Sequence, residues 1–518
     1  MALNILWQSN SPFCNTGYGM QTASCVPRLK ELGHNMAVFS FYGFEGSKME
    51  WNGIPLYPND VRDWGVKYNK MFYDDHKADI LLTLQDTWVL QKLDVRMNWV
   101  PWAPIDHDPA PPEVLNMLKN HGGIVKPIAM SKYGQRKLKD AGIDSYYIPH
   151  GVNTHLFSPQ EEWRKDLRKQ HGWDDKFVIG TVGTNTVERK NWIASLKAVK
   201  EFYSKHKDVA YYMHTDMHHS MGIDLDALRY ELGLEDITYY PKFEKMVIGV
   251  RAEALAHLYN AMDVFLLPSK GEGFGIPIVE AQSCGVPVIT TNCTAQPELV
   301  DGGWLVKDLT PTWTAQGSWQ FECNPHEIAL YLEEAYEEWK SGKIAERKEK
   351  ARAKAKEYEW DVLIPEYWKP TLEDIEKRIH LPKNCEGIQE WRMYFIPHQC
   401  VPRKVLDIGC GVTQPYRKIL EQVGDYTGID IKGGENVTVC DCHHLPYEDK
   451  EFGFVWMSEV LEHLDNPAQA VAEAKRVGEH GVILFSTPLN PFFKMDPSHK
   501  VVNIPYQTVA TGDGLIAW

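Results

Sequence analysis

No run of about 20 apolar residues, the length that spans a bilayer as a helix, occurs in the 518-residue chain. No transmembrane helix is therefore expected. The opening residues, Met1-Ala2-Leu3-Asn4-Ile5-Leu6-Trp7, lack the basic region and apolar stretch of a secretory signal and read as a first β-strand. Cysteine is sparse, with ten residues scattered without a framework spacing. That argues against a disulfide scaffold and for reduced thiols in a cytoplasmic protein. A surplus of positive charge is lacking too. The formal net charge of −15 speaks against a dedicated nucleic-acid or anionic-membrane surface, while leaving room for a local basic groove.

What is present is ordinary for a globular protein: 43% hydrophobic and 24% charged residues. The length exceeds one ordinary core, so about two to four domains are expected. Short apolar runs alternate with helical stretches: Asn4–Trp7, Met36–Phe39, Leu81–Leu84, Trp99–Ala103, Ile128–Met130 and Tyr146–Ile148, then Phe177–Thr181 and Ala210–Met213. This alternation predicts an α/β fold with Rossmann-like halves.

The most informative stretch is VFLLPSKGEGFGIPIVEAQSCGVPVITTNCTAQPE, Val264 to Glu298. Val264–Leu267 reads as a strand, followed by a loop with glycine at 271, 273 and 275. Pro277 suits a first helical position, the helix should end near Gly285, and Val286–Thr291 reads as the next strand. Such a turn brings backbone N–H groups and a helix N-terminus to a phosphate. Glu272 in the loop and Glu280 in the first helical turn are acceptor-only carboxylates, suited to the hydroxyls of a sugar and a ribose. Alternatively, Glu280 merely complements the helix dipole and Glu272 is solvated.

Two glutamates eight apart around Gly273-Phe274-Gly275-Ile276-Pro277, followed by Glu-Ala, Cys-Gly-Val-Pro-Val and Pro-Glu, closely resemble the signature of family-4 retaining glycosyltransferases. The resemblance implies the GT-B architecture and a nucleoside diphosphate sugar held between two Rossmann-like domains, residues 1–155 and 156–345. Residues 346–384 would form a crossover helix and linker, with Trp360-Asp361 and Tyr367-Trp368 anchoring it on the first domain. The family's roles map onto His107 beside the donor sugar, flanked by Asp106 and Asp108, and Glu272 on that sugar. Gly17, Tyr18 and Gly19 would face the donor phosphates, and Gly273, Phe274, Gly275, Ile276 and Glu280 would hold the nucleotide. The family places an arginine directly after the glycine at 183 and a lysine later, both on the diphosphate. Here Thr184 follows instead, so Lys190 fits the lysine and Arg189 stands in for the arginine. The hinge, usually Asn-Gly-Val-Asp, is here His150-Gly151-Val152-Asn153. No Asp-x-Asp lies at a strand end near the donor loop, so no metal is expected. His214 to His219, with three histidines and an aspartate, reads as a loop beside the nucleotide rather than a metal site. Ala345–Trp360 reads as a solvated charged helix.

A second α/β pattern begins after His380-Leu381-Pro382-Lys383-Asn384. Lys404–Gly411 is strand followed by Asp407-x-Gly409-Cys410-Gly411, and Asp430 closes the next strand where an acid would hold ribose hydroxyls. A dinucleotide site is the rival, but position 414 is Gln414 rather than glycine, and Asp407 suits a ligand with an ammonium group. With Asp441 after a third strand, Glu459–His463 and Val482–Thr487, residues 385–518 resemble class I methyltransferases that use S-adenosylmethionine. Only about 30 residues follow Pro488, too few for the usual remaining elements, so this domain is expected to be incomplete. Cys440-Asp441-Cys442-His443-His444 also hints at metal, weakly for want of a second cysteine pair.

The fold expected is therefore α/β, two Rossmann-like domains followed by a third, partial one. The function expected is transfer of a sugar from a nucleoside diphosphate sugar to an unknown acceptor, with S-adenosylmethionine as a further ligand. The opening Trp7, Asn10-Ser11-Pro12 and Thr16-Gly17-Tyr18-Gly19 also look like glycosyltransferases of tailed bacteriophages, which would set the protein in a host cytoplasm and make a virion protein or a modified DNA base, rather than a cell-wall glycan, the acceptor. The rivals are a silent ligand-binding scaffold and a methyltransferase whose sugar domain only recognises a glycan.

Overall fold

The computed structural model describes residues 2–60, 63–186, 188–242, 249–379, 403–414, 416–421, 424–458, 460–479 and 482–485. They divide into two compact units, Met1–Ile379 and His380–Trp518.

The first unit holds two sheets. Strands β1 (Asn4–Asn10), β2 (Asn35–Tyr42), β3 (Met49–Trp51), β4 (Ile54–Tyr57), β5 (Ile80–Leu84), β6 (Trp99–Ala103), β7 (Ile128–Ala129) and β8 (Tyr146–Tyr147) run in the order β3-β4-β2-β1-β5-β6-β7-β8. All neighbours are parallel except β3 and β4. β5 and β6 are buried throughout, as strands covered by helices on both faces must be. That is why they read as unbroken apolar runs.

The second sheet consists of β9 (Phe177–Val182), β10 (Val209–His214), β11 (Thr238–Tyr239), β12 (Val264–Leu267), β13 (Val288–Thr291) and β14 (Trp304–Val306), in the order β11-β10-β9-β12-β13-β14 and all parallel. A hairpin, β15 (Leu309–Trp313) and β16 (Trp319–Cys323), follows. In the first sheet the strand order reverses between β1 and β5, in the second between β9 and β12. Loops leaving a parallel sheet diverge at such a point and leave a crevice beyond the strand ends.

Three helices matter for that crevice. α1 (Gly17–Glu31) leaves β1, α2 (Trp192–Lys205) leaves β9, and α3 (Ile276–Ser283) leaves β12. Helix α4 (Ile344–Ala355) leads into the return crossing, which continues through Trp360–Leu363 and Ile364–Trp368 to a helix at Lys369–Ile379. Trp368 is fully buried, its ring centroid 5.9 Å from that of Trp7 on β1 and 5.1 Å from that of Trp102 on β6. Trp360 lies against the link between the two sheets. A Cβ on Gly151 would stand 2.4 Å from its ring, so only glycine fits there.

The second unit is a five-stranded parallel sheet, β17 (Arg403–Ile408), β18 (Gly424–Asp430), β19 (Val437–Val439), β20 (Phe454–Ser458) and β21 (Val482–Phe485), in the order β19-β18-β17-β20-β21. Its strand order reverses between β17 and β18 on one side and β20 on the other. Glu459, the stretch from Ser486 through Pro488 to Trp518, and the His380–Asn384 linker lie outside the described residues.

Trp368→Ala removes the indole shared by Trp7 and Trp102 and should destabilise the protein by about 3–5 kcal/mol, the usual range for a buried aromatic truncated to alanine. Thermal and denaturant unfolding of wild type and variant measure it.

Candidate active site

The site lies where the crevices of the first unit's two sheets meet. From the second sheet come the 183–191 loop after β9 and the 268–275 loop after β12. From the first come the turn into α1, Asp86 just after β5 and the segment after β6, Pro104 to Asp108.

The loop after β9 delivers two cations side by side. Glu188 and Asn191 both take positive φ (54° each), a conformation seldom adopted by non-glycine residues, and Arg189 and Lys190 stand between them. Arg189 Nη1 donates to Glu272 Oε2 at 2.6 Å and to Gly271 O at 2.8 Å, and Lys190 Nζ donates to Glu272 Oε1 at 2.5 Å. The anion expected between the two cations is thus, in this structure, the Glu272 carboxylate. Burial works against its charge, but Arg189 and Lys190 prevail and hold it at about 2. The Glu272 N–H donates to Thr294 Oγ1 at 2.9 Å.

His107 is buried. Its Nδ1 is 2.7 Å from Asp106 Oδ1, and its carbonyl accepts from Tyr133 OH at 2.8 Å. Desolvation opposes ionisation of Asp106, yet the His107 hydrogen bond and Arg189 keep its carboxyl below the usual range. Asp86, which sequence reasoning missed, completes the acidic wall. It is reached by solvent but stands amid the protein mass of the crevice, where that mass desolvates it. That desolvation, with Asp106 close by, pushes it up to about 6. Its only signal was its position just past a strand end beside the crossover point.

Glu280 is buried, with Tyr259 OH donating to Oε2 at 2.9 Å. Desolvation raises it to about 7 despite that bond. Because α3 begins at Ile276, Pro277 is its second residue, and Glu280 stands past the first turn. The dipole reading of Glu280 accordingly loses its geometric basis, since such effects fade within the first turn.

The glycines serve packing ends in addition to the ligand approach expected of them. A Cβ on Gly271 would meet Asp106 O at 2.1 Å and one on Gly273 would meet Pro104 Cβ at 2.6 Å. Both let the loop press against the opposing half rather than only against a ligand. Gly275 precedes α3 at φ 117°. Gly19 packs inside its own turn, where a Cβ would stand 2.2 Å from Cys14 O. Gly17 is exposed, and a Cβ there would be 3.4 Å from Ile276 Cδ1, so the N-termini of α1 and α3 face one another. Burial, with Asp86 and then Asp106 and Glu272 near, pushes the Tyr18 phenol above its ordinary range. The Phe274 ring is turned into the packing between the halves, against His150 (5.2 Å) and Tyr358 (5.5 Å).

The 214–219 histidines separate. His214 is 3.1 Å from Tyr212 OH, His218 pairs with Asp224 at 3.3 Å, and His219 accepts from Met221 N.

In the second unit Gly409 and Gly411 take positive φ (71° and 64°), and Gly411 N donates to Asp430 Oδ2 at 2.9 Å. Glycine loop and acid are thereby brought together. Asp407 is buried and accepts from Tyr426 OH at 2.9 Å, with burial raising it to about 7. The phenol thus engages the carboxylate that was expected to meet an ammonium, a long-range partner invisible in the motif. Cys410 is buried. Asp441 is exposed, its Oδ1 engaged by His443 N at 2.9 Å and His443 Nδ1 at 2.7 Å. Among the described residues, Asp441, Cys442 and His443 are the group whose candidate ligand atoms lie within 4.8 Å of one another. The structure does not join Asp441 to Asp407 or Asp430 by any hydrogen bond among the described residues.

Two doubly wound halves with a return crossing and a cleft between them define the GT-B fold. Anabaena HepE in complex with UDP and glucose superposes with a TM-score of 0.54 at 19% identity, over 72% of this chain and all of that one. Residues 176–317 match the family model described as glycosyl transferases group 1, and residues 406–486 match the one described as a methyltransferase domain. The chain thus carries a domain of each kind. Among curated proteins, O-antigen chain mannosyltransferase B of Escherichia coli is 54% identical over 56 residues, 11% of this chain and 15% of that one. The GDP-mannose-dependent alpha-(1-6)-phosphatidylinositol monomannoside mannosyltransferase of Mycolicibacterium smegmatis is 27% identical over 171 residues, 30% of this chain and 41% of that one. The chain therefore spans less than half the length of either.

Glu272→Ala should leave Lys190 and Arg189 without their carboxylate and destabilise the protein by about 3–5 kcal/mol, as breaking a buried ion pair does. A nucleoside diphosphate should then raise the variant's melting temperature more than the wild type's. Differential scanning fluorimetry with and without the nucleotide decides it, and equal shifts would break the link between the pair and the anion.

Proposed function

We propose that the first unit is a retaining, metal-independent glycosyltransferase whose donor is a nucleoside diphosphate sugar. The observation that carries the reading is the convergence of Arg189, Lys190 and Glu272 before the N-terminus of α3, with Glu280 further along the same helix. The diphosphate takes the place beside the two cations and the α3 amides. Glu272, freed in part from its cations, accepts from donor sugar hydroxyls, and Glu280 accepts from the ribose. His107, oriented by Asp106, donates to the donor sugar.

In the transfer the bond from the anomeric carbon to the leaving phosphate oxygen breaks. A bond from the acceptor oxygen forms on the same face, and the acceptor proton passes to the departing phosphate. Arg189, Lys190 and the loop amides are in place before charge develops there, which is the electrostatic form of catalysis. The acceptor is a hydroxyl-bearing glycan, protein or modified base. Nucleotide-sugar use by relatives, GDP-mannose in one name and UDP with glucose in one complex, supports the donor class.

Glu280 supplies the test. A ribose needs the ionised carboxylate, so affinity should be full above about 7 and fall as pH drops below it, since the free protein then holds the proton. Between pH 6 and 8 nucleoside diphosphate affinity should rise about tenfold more in wild type than in Glu280→Gln. Calorimetry in EDTA, alongside hydrolysis of a nucleotide-sugar panel, measures both. Parallel pH curves, or a requirement for added Mg²⁺ or Mn²⁺, would overturn the assignment.

For the second unit we propose S-adenosylmethionine binding, with Asp430 and the Gly409–Gly411 loop holding the ribose and methionine parts. The pairing of Gly411 N with Asp430 fits such a ligand. Asp407 fits it only if the Tyr426 phenol gives way to the ammonium. The bound cofactor supplies an electrophilic methyl group. In the full chain S-adenosylhomocysteine should raise the temperature at which the second unit unfolds, and Asp430→Ala should abolish that shift.

A further inference from the structure

Large apolar rings on a solvated surface are expensive unless something covers them, and two tryptophans of the hairpin are left uncovered. Trp313 on β15 is 58% exposed and Trp319 on β16 is 41% exposed. They are cross-strand partners in register, with ring centroids 4.8 Å apart and planes at 73°. At the other end of the same hairpin face, Cys323 is buried and accepts a hydrogen bond from Asn191 Nδ2. One end is thus anchored in the second half, and the other carries the indoles outward.

The hairpin stands next to the reacting groups. Trp319 exchanges both backbone hydrogen bonds with Asp108, at 3.0 and 3.1 Å, and Asp108 follows His107 in the chain. Two residues on, Phe321 N donates to Lys270 O at 2.9 Å, and Lys270 N donates in turn to Arg189 O at 2.9 Å. Ser318 Oγ donates to Pro109 O. A single strand is therefore bonded to the segment that carries His107 and to the loops that carry Arg189 and Glu272. None of these ties uses the Trp313 side chain.

We infer that Trp313 and Trp319 form an acceptor-binding platform for a saccharide, at the edge of the proposed transfer site; the inference rests on the glycosyltransferase reading of the first unit. A pyranose ring offers an apolar C–H face to an indole and directs its hydroxyls to the rim. There the Asp108 carboxylate, paired with Lys137 at 2.7 Å and partly exposed, can accept from them. Indoles also stack on nucleobases, but the site's carboxylates and the net charge of −15 disfavour a polyanion and favour a neutral glycan. The platform deepens the acceptor assignment from any hydroxyl to a sugar hydroxyl.

The full chain, its Trp313→Ala and Trp313→Phe variants, and a set of probes (mannotriose, maltotriose, cellotriose and a dT12 oligonucleotide) provide the test. Binding is read by calorimetry and saturation-transfer NMR, with nucleoside diphosphate affinity and melting temperature measured in parallel. The expected result is that at least one trisaccharide binds, that Trp313→Ala weakens it at least tenfold and that Trp313→Phe restores part of the loss. Nucleotide affinity and melting temperature should stay unchanged. Absence of trisaccharide binding, or binding indifferent to Trp313, would overturn the platform. Trp313-dependent binding of dT12 alone would overturn it in favour of single-stranded nucleic acid. Trp313-dependent saccharide binding without turnover of any nucleotide sugar would keep the platform and overturn the donor reading instead.

Discussion

The first unit's site depends on a buried carboxylate that faces two cations. Among the described residues, the carboxylates in ion-pair contact with Lys190 and Arg189 are Glu272 and, 3.9 Å from Arg189 Nε, Asp106. Removing charges from water is unfavourable by several kcal/mol per ion, so their presence together requires Glu272 or an anion in its place. The local backbone is shaped to that end. Gly183 leaves room for the Lys190 stem, whose Cγ would lie 3.2 Å from a Cβ there, and the two positive-φ residues beside the pair turn both side chains the same way. The site is preorganised for negative charge before any ligand arrives, which is the condition under which fixed dipoles and charges accelerate a reaction.

Around that pair the two halves are held in register by short contacts on several sides. The donor loop touches Pro104 and Asp106 through its glycines. Trp319 pairs with Asp108, Gly151 lies on Trp360, and Trp368 fills the space between Trp7 and Trp102. The return crossing thus stabilises the first sheet and at the same time fixes where the second can sit. Buried apolar area holds the halves together, and the few polar ties set their relative position.

Much of this was legible in the sequence where the signal is local. Buried parallel strands announce themselves as apolar runs, and β6 and β12 have the bounds that their runs predict. The glycine loop and its two glutamates stood out as one long motif, and Arg189 and Lys190 as two cations just before a helix. What was hidden is pairwise and distant. Nothing near Glu272 says that its partners are 82 and 83 residues away, or that Tyr259 would face Glu280 and Tyr426 would face Asp407. The glycines were read as making room for a ligand because that is what a motif displays. The closest neighbours of Gly271 and Gly273, Asp106 and Pro104, belong to a segment far earlier in the chain, which only the tertiary fold supplies. The tryptophan hairpin carried no signal, since Trp313 and Trp319 look alike in sequence to the buried indoles of the core.

The Pro-Glu that closes the motif has a further consequence. Glu298, in the second half, accepts the backbone N–H groups of Lys132 (2.9 Å) and Tyr133 (3.2 Å), the first residues of a helix in the first half. Those two amides have no acceptor within their own helix, so they are shielded only while the halves are together. Separation of the halves strips them bare, with a penalty of about 1 kcal/mol typical of a lost cap. Their hydrogen–deuterium exchange is therefore a built-in gauge of cleft breathing, and it can be read at two defined positions without any label on the protein.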